Sequence, residues 1–364
     1  MTVTFLVLTS ADPIGGALAL YEFANAMRRR GHSVHVLHMG LTDPIAGLDE
    51  LPWITFEDGI EHVFLDEQRP MLRITFEDGT RHVFPGEPRS SHAEHDLPDA
   101  DFIAAYDDEI PLRHGLPFVF VQGYQTLFPS IEDAVFRAPC PKVCIARWLV
   151  DVGKEKGVPA DELVFVPYGL KHEKYRLVAS IEERPPLVSM AYHSHLQKAS
   201  AEGLAALSEV RRRVPGVEAT VFSRLAPTHE TPPWMSVVAN PPQDVIVNEI
   251  YNRSRIFLCS SRVEGFGLPC IEAMACGAAL VTTSNGGSDD YAIHGETALV
   301  CEPDDVTAMA DHIERLLHDD ELRIRIAKQG MEYVRQTFDW DASAEQLETF
   351  LNEYAAEPGR YLRR

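Results

Sequence analysis

Residues 3–8, VTFLVL, form an unbroken apolar run. Such a run suits a strand covered on both faces, as in a parallel sheet. The stretch that follows, IGGALALYEFANAMRRRG, sets Leu20, Phe23, Ala24 and Met27 at helical spacing. Arg28 to Arg30 fall where the negative end of a helix favours cations, and Gly31 is a natural stop. SVHVLHM then predicts a second strand. Strand, helix and strand make a βαβ unit with a right-handed crossover.

The pattern breaks after residue 40. ITFEDGIEHVF at 54–64 returns as ITFEDGTRHVF at 74–84, differing only at Ile60/Thr80 and Glu61/Arg81. Each copy flanks Glu-Asp-Gly with short apolar runs, which predicts a hairpin turn. Two copies are too few for a solenoid, so an antiparallel insert is expected, followed by a polar, proline-rich loop. Apolar runs resume with DFIAAY, PFVFVQGY, KVCIA and LVFVPYG. Residues 171–186, KHEKYRLVASIEERPP, are charged and aperiodic and end in a proline pair, which places a domain boundary there.

Beyond it the alternation restarts: PLVSMAY, a helix near 198–213, VEATVFS, a helix near 243–252, RIFLCSS, ALVTTS and TALVCEP. Helices are predicted near 304–317 and 319–337. The last, WDASAEQLETFLNEYAA, carries Leu347, Phe350 and Leu351 on one face and is expected to be capped by Asp341. The fold class is therefore α/β, with two successive doubly wound, Rossmann-like domains. The expected division is 1–176, 177–340 and a terminal helix in 341–364.

Candidate chemistry concentrates in SRVEGFGLPCIEAMACG, residues 261–277, directly after the RIFLCSS strand. Ligands of such sheets bind beyond the carboxyl ends of strands, at helix N-termini. Glu264 lies in the loop. Gly265 and Gly267 let backbone N–H groups approach a ligand. Pro269 suits a first helical turn, in which Glu272 is also expected, and Gly277 ends the helix. Loop and helix N–H groups suit a phosphate, whereas carboxylates accept hydrogen bonds from vicinal hydroxyls. Two acids around one glycine turn thus point to a diphosphate joining two polyhydroxyl parts, which is a nucleotide sugar.

Residues 256–302 resemble the donor-binding signature of glycosyltransferase family 4, retaining enzymes of the GT-B fold. The resemblance rests on EGFGLP, EAMACG and NGGSDDYAIHGETALV, with Glu264 and Glu272 separated by seven residues. IGGALALYEFANAMRRRGHSV resembles the family's N-terminal glycine loop and helix, and VPYGL its segment before the interdomain linker, with Tyr168 at a usual asparagine. The resemblance implies that the two domains face a cleft, that Glu264 touches the donor sugar, that Glu272 holds the nucleotide ribose, and that the last helix crosses back to the first domain. It implies a catalytic role for Glu264 and for Lys198, which matches a family lysine that neutralises the diphosphate. Gly265, Phe266, Gly267, Leu268, Gly15, Gly16 and His193 complete the expected donor site. The arginine that usually accompanies the lysine is missing from SMAYHSHLQKAS, where His193 and His195 lie instead, and Arg224 is a further candidate cation. Gln122 should face the cleft, and Asp107, Asp108 and Glu109 follow the preceding strand without an assigned role.

The implied activity is that of a hexosyltransferase-type enzyme. It transfers a sugar from a nucleotide diphosphate to an acceptor hydroxyl with retention, and needs neither a metal nor a cofactor. Asp-x-Asp occurs at 99–101 and 339–341, but so short a pattern arises by chance in an acidic chain. The acceptor is expected to be a small molecule, a glycan or a lipid-linked sugar. The rival readings are a non-catalytic sugar-nucleotide-binding subunit and a hydrolase or epimerase on the same scaffold.

The 33 Lys and Arg against 55 Asp and Glu give a net charge of −22, which repels nucleic acid and anionic lipid headgroups. No apolar run reaches the ~18 residues of a membrane helix, and the N-terminus lacks a signal-peptide pattern. Of the six cysteines, Cys140 and Cys144 are four apart with no matching pair at zinc-site spacing, so buried thiols in a reducing cytoplasm are expected. A cytoplasmic protein without stable membrane insertion is expected, with room for a homodimer.

Overall fold

A computed structural model describes residues 1–8, 15–39, 57–64, 71–75, 81–85, 100–105, 115–124, 133, 135–224 and 232–362. The first domain contains β1 (Thr2–Leu8), α1 (Gly15–Arg29), β2 (Ser33–Met39), β3 (Glu61–Phe64), β4 (Met71–Thr75), β5 (Arg81–Pro85), β6 (Phe102–Ala105), β7 (Leu116–Val121), β8 (Lys142–Cys144), α2 (Arg147–Glu155) and β9 (Leu163–Phe165). Seven strands form a parallel sheet in the order β3-β2-β1-β6-β7-β8-β9.

The repeated undecapeptide meets two different fates. Around the second copy β4 and β5 pair antiparallel, with Thr75 opposite Arg81, and its Glu-Asp-Gly, within 76–80, lies outside the described residues. In the first copy residues 61–64 instead join the main sheet, parallel to β2, with His35 opposite Glu61. Near-identical sequence therefore takes the partner that topology offers. The open edge of β2 captures the first copy, in keeping with the context dependence of strand formation. Residues 54–56 of the first copy lie outside the described residues.

The second domain contains β10 (Leu187–Ala191), α3 (Ser200–Arg213), β11 (Glu218–Ser223), β12 (Met235–Ala239), β13 (Ile256–Cys259), α4 (Leu268–Ala275), β14 (Ala279–Thr283), β15 (Ala298–Cys301), α5 (Val306–His318) and α6 (Asp320–Thr337). Before β13 a helical turn, Gln243–Val245, widens into a π-helical segment, Ile246–Tyr251. The parallel order is β12-β11-β10-β13-β14-β15. The strand order reverses between β10 and β13 here, and between β1 and β6 in the first domain, and crevices open at such reversals.

The last long helix, α7 (Trp340–Ala356), packs on the first domain. Trp340 meets Phe23 edge-on at 5.1 Å and Tyr168 at 5.8 Å. The Tyr354 hydroxyl donates to the Pro117 carbonyl at 3.0 Å. The expected cap is displaced by two residues. Asp339, in extended backbone, accepts from the N–H groups of Asp341 and Ala342 at 2.9 and 3.0 Å. Asp341 lies one residue inside the helix, where its side chain cannot reach back to those groups. It pairs instead with Arg29 of α1 at 2.8 Å. Among the described residues no helix is long and apolar enough to cross a membrane.

Candidate functional site

The reversal between β10 and β13 brings two predicted residues together. The chain leaving β10 makes a single 3₁₀ turn at Leu196–Lys198, capped by the His195 side chain, which accepts from the Gln197 N–H. Ala199 then adopts a left-handed conformation, φ 44°, before α3 starts. A non-glycine residue rarely takes this conformation, and its neighbours must hold it there. The turn aims Lys198 at the loop leaving β13. Lys198 Nζ donates to both carboxylate oxygens of Glu264, each at 2.8 Å. Burial pushes the Lys198 ammonium down, but the Glu264 carboxylate outweighs it and the net shift is upward.

Glu264 is fixed on all sides. Its Oε1 accepts from the Ser261 hydroxyl at 2.6 Å. Its N–H donates to the Asn285 carbonyl at 2.9 Å, and its carbonyl accepts from the Gly287 N–H at 3.2 Å. The NGG turn of the signature thus clamps the backbone of the EGFGLP loop.

That loop is also where the two domains meet. A Cβ on Gly265 would overlap the carbonyl oxygen of Gln122, which follows β7 of the first domain. The Trp148 indole N–H of α2 donates to the Gly265 carbonyl at 2.9 Å. Beside it, Asp290 accepts from the Arg147 backbone N–H at 3.0 Å and from its guanidinium at 2.8 Å. Gly267 has φ +93°, and a Cβ there would overlap the Tyr291 hydroxyl. The Gly267 backbone opens α4, with Leu268 and Pro269 in its first turn.

Phe266, expected among the donor contacts, turns its ring inward. It is 2% exposed and packs edge-on against Tyr168 at 5.5 Å and Phe338 at 5.3 Å. Left-handed Gly267 rotates the loop so that an apolar side chain fills the interdomain core. Any donor contact at Phe266 therefore falls to its backbone.

Glu272 is the fifth of eight residues in α4, one residue past the first turn in which it was expected, because the helix starts at Leu268, a residue before Pro269. Its Oε2 accepts from the Tyr251 hydroxyl at 3.0 Å. Burial raises the affinity of this carboxyl for its proton, and hydrogen bonding by Tyr175 and Tyr251 and the charge of Lys174 oppose the rise.

The remaining predicted residues fall as follows. Gly15 and Gly16 begin α1, where the Gln122 side-chain amide donates to the Gly16 carbonyl at 3.3 Å. The His193 backbone N–H donates to Ser200 Oγ at 3.0 Å, and its Nδ1 accepts from the His195 N–H at 2.9 Å. Desolvation, then the Lys198 charge, pushes the His193 ring down. Arg224 follows β11 directly. Asp107, Asp108 and Glu109 lie outside the described residues.

Asp101 accepts from the Thr2 N–H at 2.7 Å, and Asp339 is the helix cap. Both Asp-x-Asp stretches therefore contribute a structural aspartate. Among the described residues no group of three or more His, Cys, Asp or Glu converges as a metal site would require.

Sequence reading missed Trp148, Arg147, Ser261, Tyr251 and Tyr175. Of the residues around the loop, Ser261 and Asp290 lay within the flagged stretches SRVEGFGLPCIEAMACG and NGGSDDY, without a role of their own. The others are ordinary residues until the fold brings them to the loop.

Residues 231–333 match the family model "Glycosyl transferases group 1". This bears out the resemblance over the segment that carries Glu264 and Glu272. Over 107 residues, 29% of this chain and 28% of the relative, the sequence is 35% identical to the capsular polysaccharide biosynthesis glycosyltransferase CapM of Staphylococcus aureus. Over 103 residues it is 37% identical to the N-acetyl-alpha-D-glucosaminyl L-malate synthase of Bacillus anthracis, covering 28% of this chain and 27% of that one. The match thus spans about a quarter of the length of these curated relatives. Across the whole chain the fold is that of GT-B glycosyltransferases. Sucrose-phosphate synthase from Thermosynechococcus elongatus superposes with TM-score 0.75 at 16% identity, covering 98% of this chain and 99% of that one. HepE from Anabaena, solved with UDP and glucose, superposes with TM-score 0.72 at 16% identity, covering 97% and 100%.

Proposed function

We propose that this group 1, GT-B chain is a retaining glycosyltransferase that moves a sugar from a nucleoside diphosphate to an acceptor hydroxyl without a metal ion. The Lys198–Glu264 pair, held at the strand-order reversal beside the N-terminus of α4, is the observation that carries this reading.

Glu272 accepts the ribose hydroxyls. The N–H groups at the start of α4 and the Lys198 ammonium receive the diphosphate. Lys198 exchanges one carboxylate oxygen for a phosphate oxygen, which frees Glu264 to accept from the sugar's hydroxyls. The bond between the anomeric carbon and the phosphate oxygen breaks, and the electron pair leaves with the diphosphate. The acceptor oxygen attacks from the same face, and its proton passes to the departing phosphate. Contact between Gln122 and Gly265 excludes water, the competing acceptor.

HepE was also solved with UDP-glucose, so a UDP-sugar is the first donor to test. The acceptor is a small molecule, a glycan or a lipid-linked sugar. The decisive experiment incubates the protein with UDP-glucose, UDP-N-acetylglucosamine or GDP-mannose and an acceptor panel, and reads product and anomeric configuration by NMR. Acceptor-dependent product with the donor's configuration supports the proposal. Acceptor-independent sugar release marks a hydrolase, and donor binding without turnover marks a binding subunit.

A further inference from the structure

The Glu272 carboxylate is held partly from outside its own domain. Tyr251, in the π-helical segment before β13, donates to Oε2 at 3.0 Å. Tyr175 presents its hydroxyl to the same carboxylate, and Tyr175 belongs to the segment that joins the two sheets. The Tyr175 oxygen accepts from the Gln243 side-chain amide. A phenol has one proton to give. With its oxygen engaged by Gln243, that proton is directed to the facing anion.

The joining segment is tied to both domains. Lys171 pairs with Glu22 of α1 at 2.6 Å. Asn252 donates to the Arg176 carbonyl at 3.0 Å and accepts from the Val178 N–H at 2.8 Å.

We propose that Tyr175 is a positioning residue: through its hydroxyl the interdomain segment orients the Glu272 carboxylate toward the ribose diol of the bound nucleotide and so helps to set donor affinity. This rests on reading Glu272 as the ribose contact. A carboxylate offers about four acceptor directions. Tyr251 takes one of them at Oε2 and Tyr175 a second, which leaves the others for the two ribose hydroxyls. The groups facing Glu272 are Tyr175 and Lys174 of the joining segment, Tyr251, and Cys276 just beyond α4. The first three favour the ionised form. Burial pushes the Cys276 thiol up to about 12, so it stays neutral. Removing the Tyr175 hydroxyl therefore loosens the carboxylate and also raises its proton affinity.

The test measures binding of UDP, GDP and 2′,3′-dideoxy-UDP by calorimetry from pH 5 to 8, using wild type, Tyr175→Phe, Tyr251→Phe and Glu272→Gln. Tyr175→Phe is expected to weaken UDP binding about three- to tenfold, to shrink the preference for UDP over the dideoxy analogue, and to increase the loss as pH falls. Comparison with wild type at each pH cancels the ligand's own titration. Thermal melting confirms that each variant is folded. If Glu272→Gln reduces the ribose preference but Tyr175→Phe changes neither that preference nor the pH profile, the role of Tyr175 is overturned and the site reading stands. If Glu272→Gln leaves the ribose preference unchanged, or wild type binds neither UDP nor GDP, the site reading itself fails.

Discussion

Lys198 Nζ lies 2.8 Å from each carboxylate oxygen of Glu264, although 66 residues separate them in the chain. Each group holds the other at the place where, in the proposed reaction, a phosphate and a sugar would take over as partners. Lys198→Ala is expected to lower kcat about 100- to 1,000-fold, the usual cost of removing one donor to developing negative charge. Steady-state kinetics with saturating donor checks this. A change confined to KM would reassign Lys198 to binding alone.

Glu272 predicts a trade of stability for function. Its folded-state pKa is raised above the usual 4.5 by burial. The protonated form is thus the one the fold prefers. The associated stability is present below pH 4.5 and is lost as pH rises through the folded value. Glutamine does not titrate. Glu272→Gln should therefore raise the melting temperature at pH 8, and the gain should fade toward pH 4, while donor binding weakens. Scanning calorimetry across this range reads the sign directly, and a gain that grows toward acid would contradict it.

Gly265 has no room for a side chain against the Gln122 carbonyl. Gly265→Ala must push the two domains apart or displace the loop that carries Glu264. A misplacement of about 1 Å costs roughly 100-fold in rate. Turnover should fall by that order with unchanged circular dichroism, and small-angle scattering should report a larger radius of gyration. Full activity would show that the two surfaces need not meet during catalysis.

Asp290 is nearly buried and accepts from the backbone and guanidinium of Arg147 across the domain interface. Asp290→Ala strips the Arg147 N–H of its partner. The expected loss is about 2 kcal/mol, read as a lower urea midpoint.

Trp340 is 6% exposed between Phe23 and Tyr168. Trp340→Ala opens a cavity where α7 returns to the first domain, at a cost of about 3–5 kcal/mol. Hydrogen exchange should then show α7 exchanging faster than the β10–β15 sheet. Uniform protection would place the anchor elsewhere on the helix.

Much of this was legible because the relevant signals are local. Apolar runs marked β1, β7, β10 and β13, since strands covered on both faces need little else. EGFGLP marked the loop because its glycines answer a backbone requirement, which Gly267 at φ +93° displays. The interior-facing ring of Phe266 was not legible, because one left-handed residue decides which way it points. Nor was the cap at Asp339. Asp339 and Asp341 are equally good candidates by type, and only backbone geometry distinguishes them.

By itself the sequence determined the alternation of strand and helix, and the placing of two acids and two glycines at the end of one strand. Those features depend on residues near one another in the chain. Tertiary structure alone decided which partners met: Lys198 with Glu264 across the reversal, Trp148 with Gly265, Tyr175 with Glu272, and two near-identical undecapeptides in different sheets. The physical reason is that hydrogen-bond and packing partners are chosen by proximity in space, and the order of strands in a sheet sets that proximity, which the order of residues does not record.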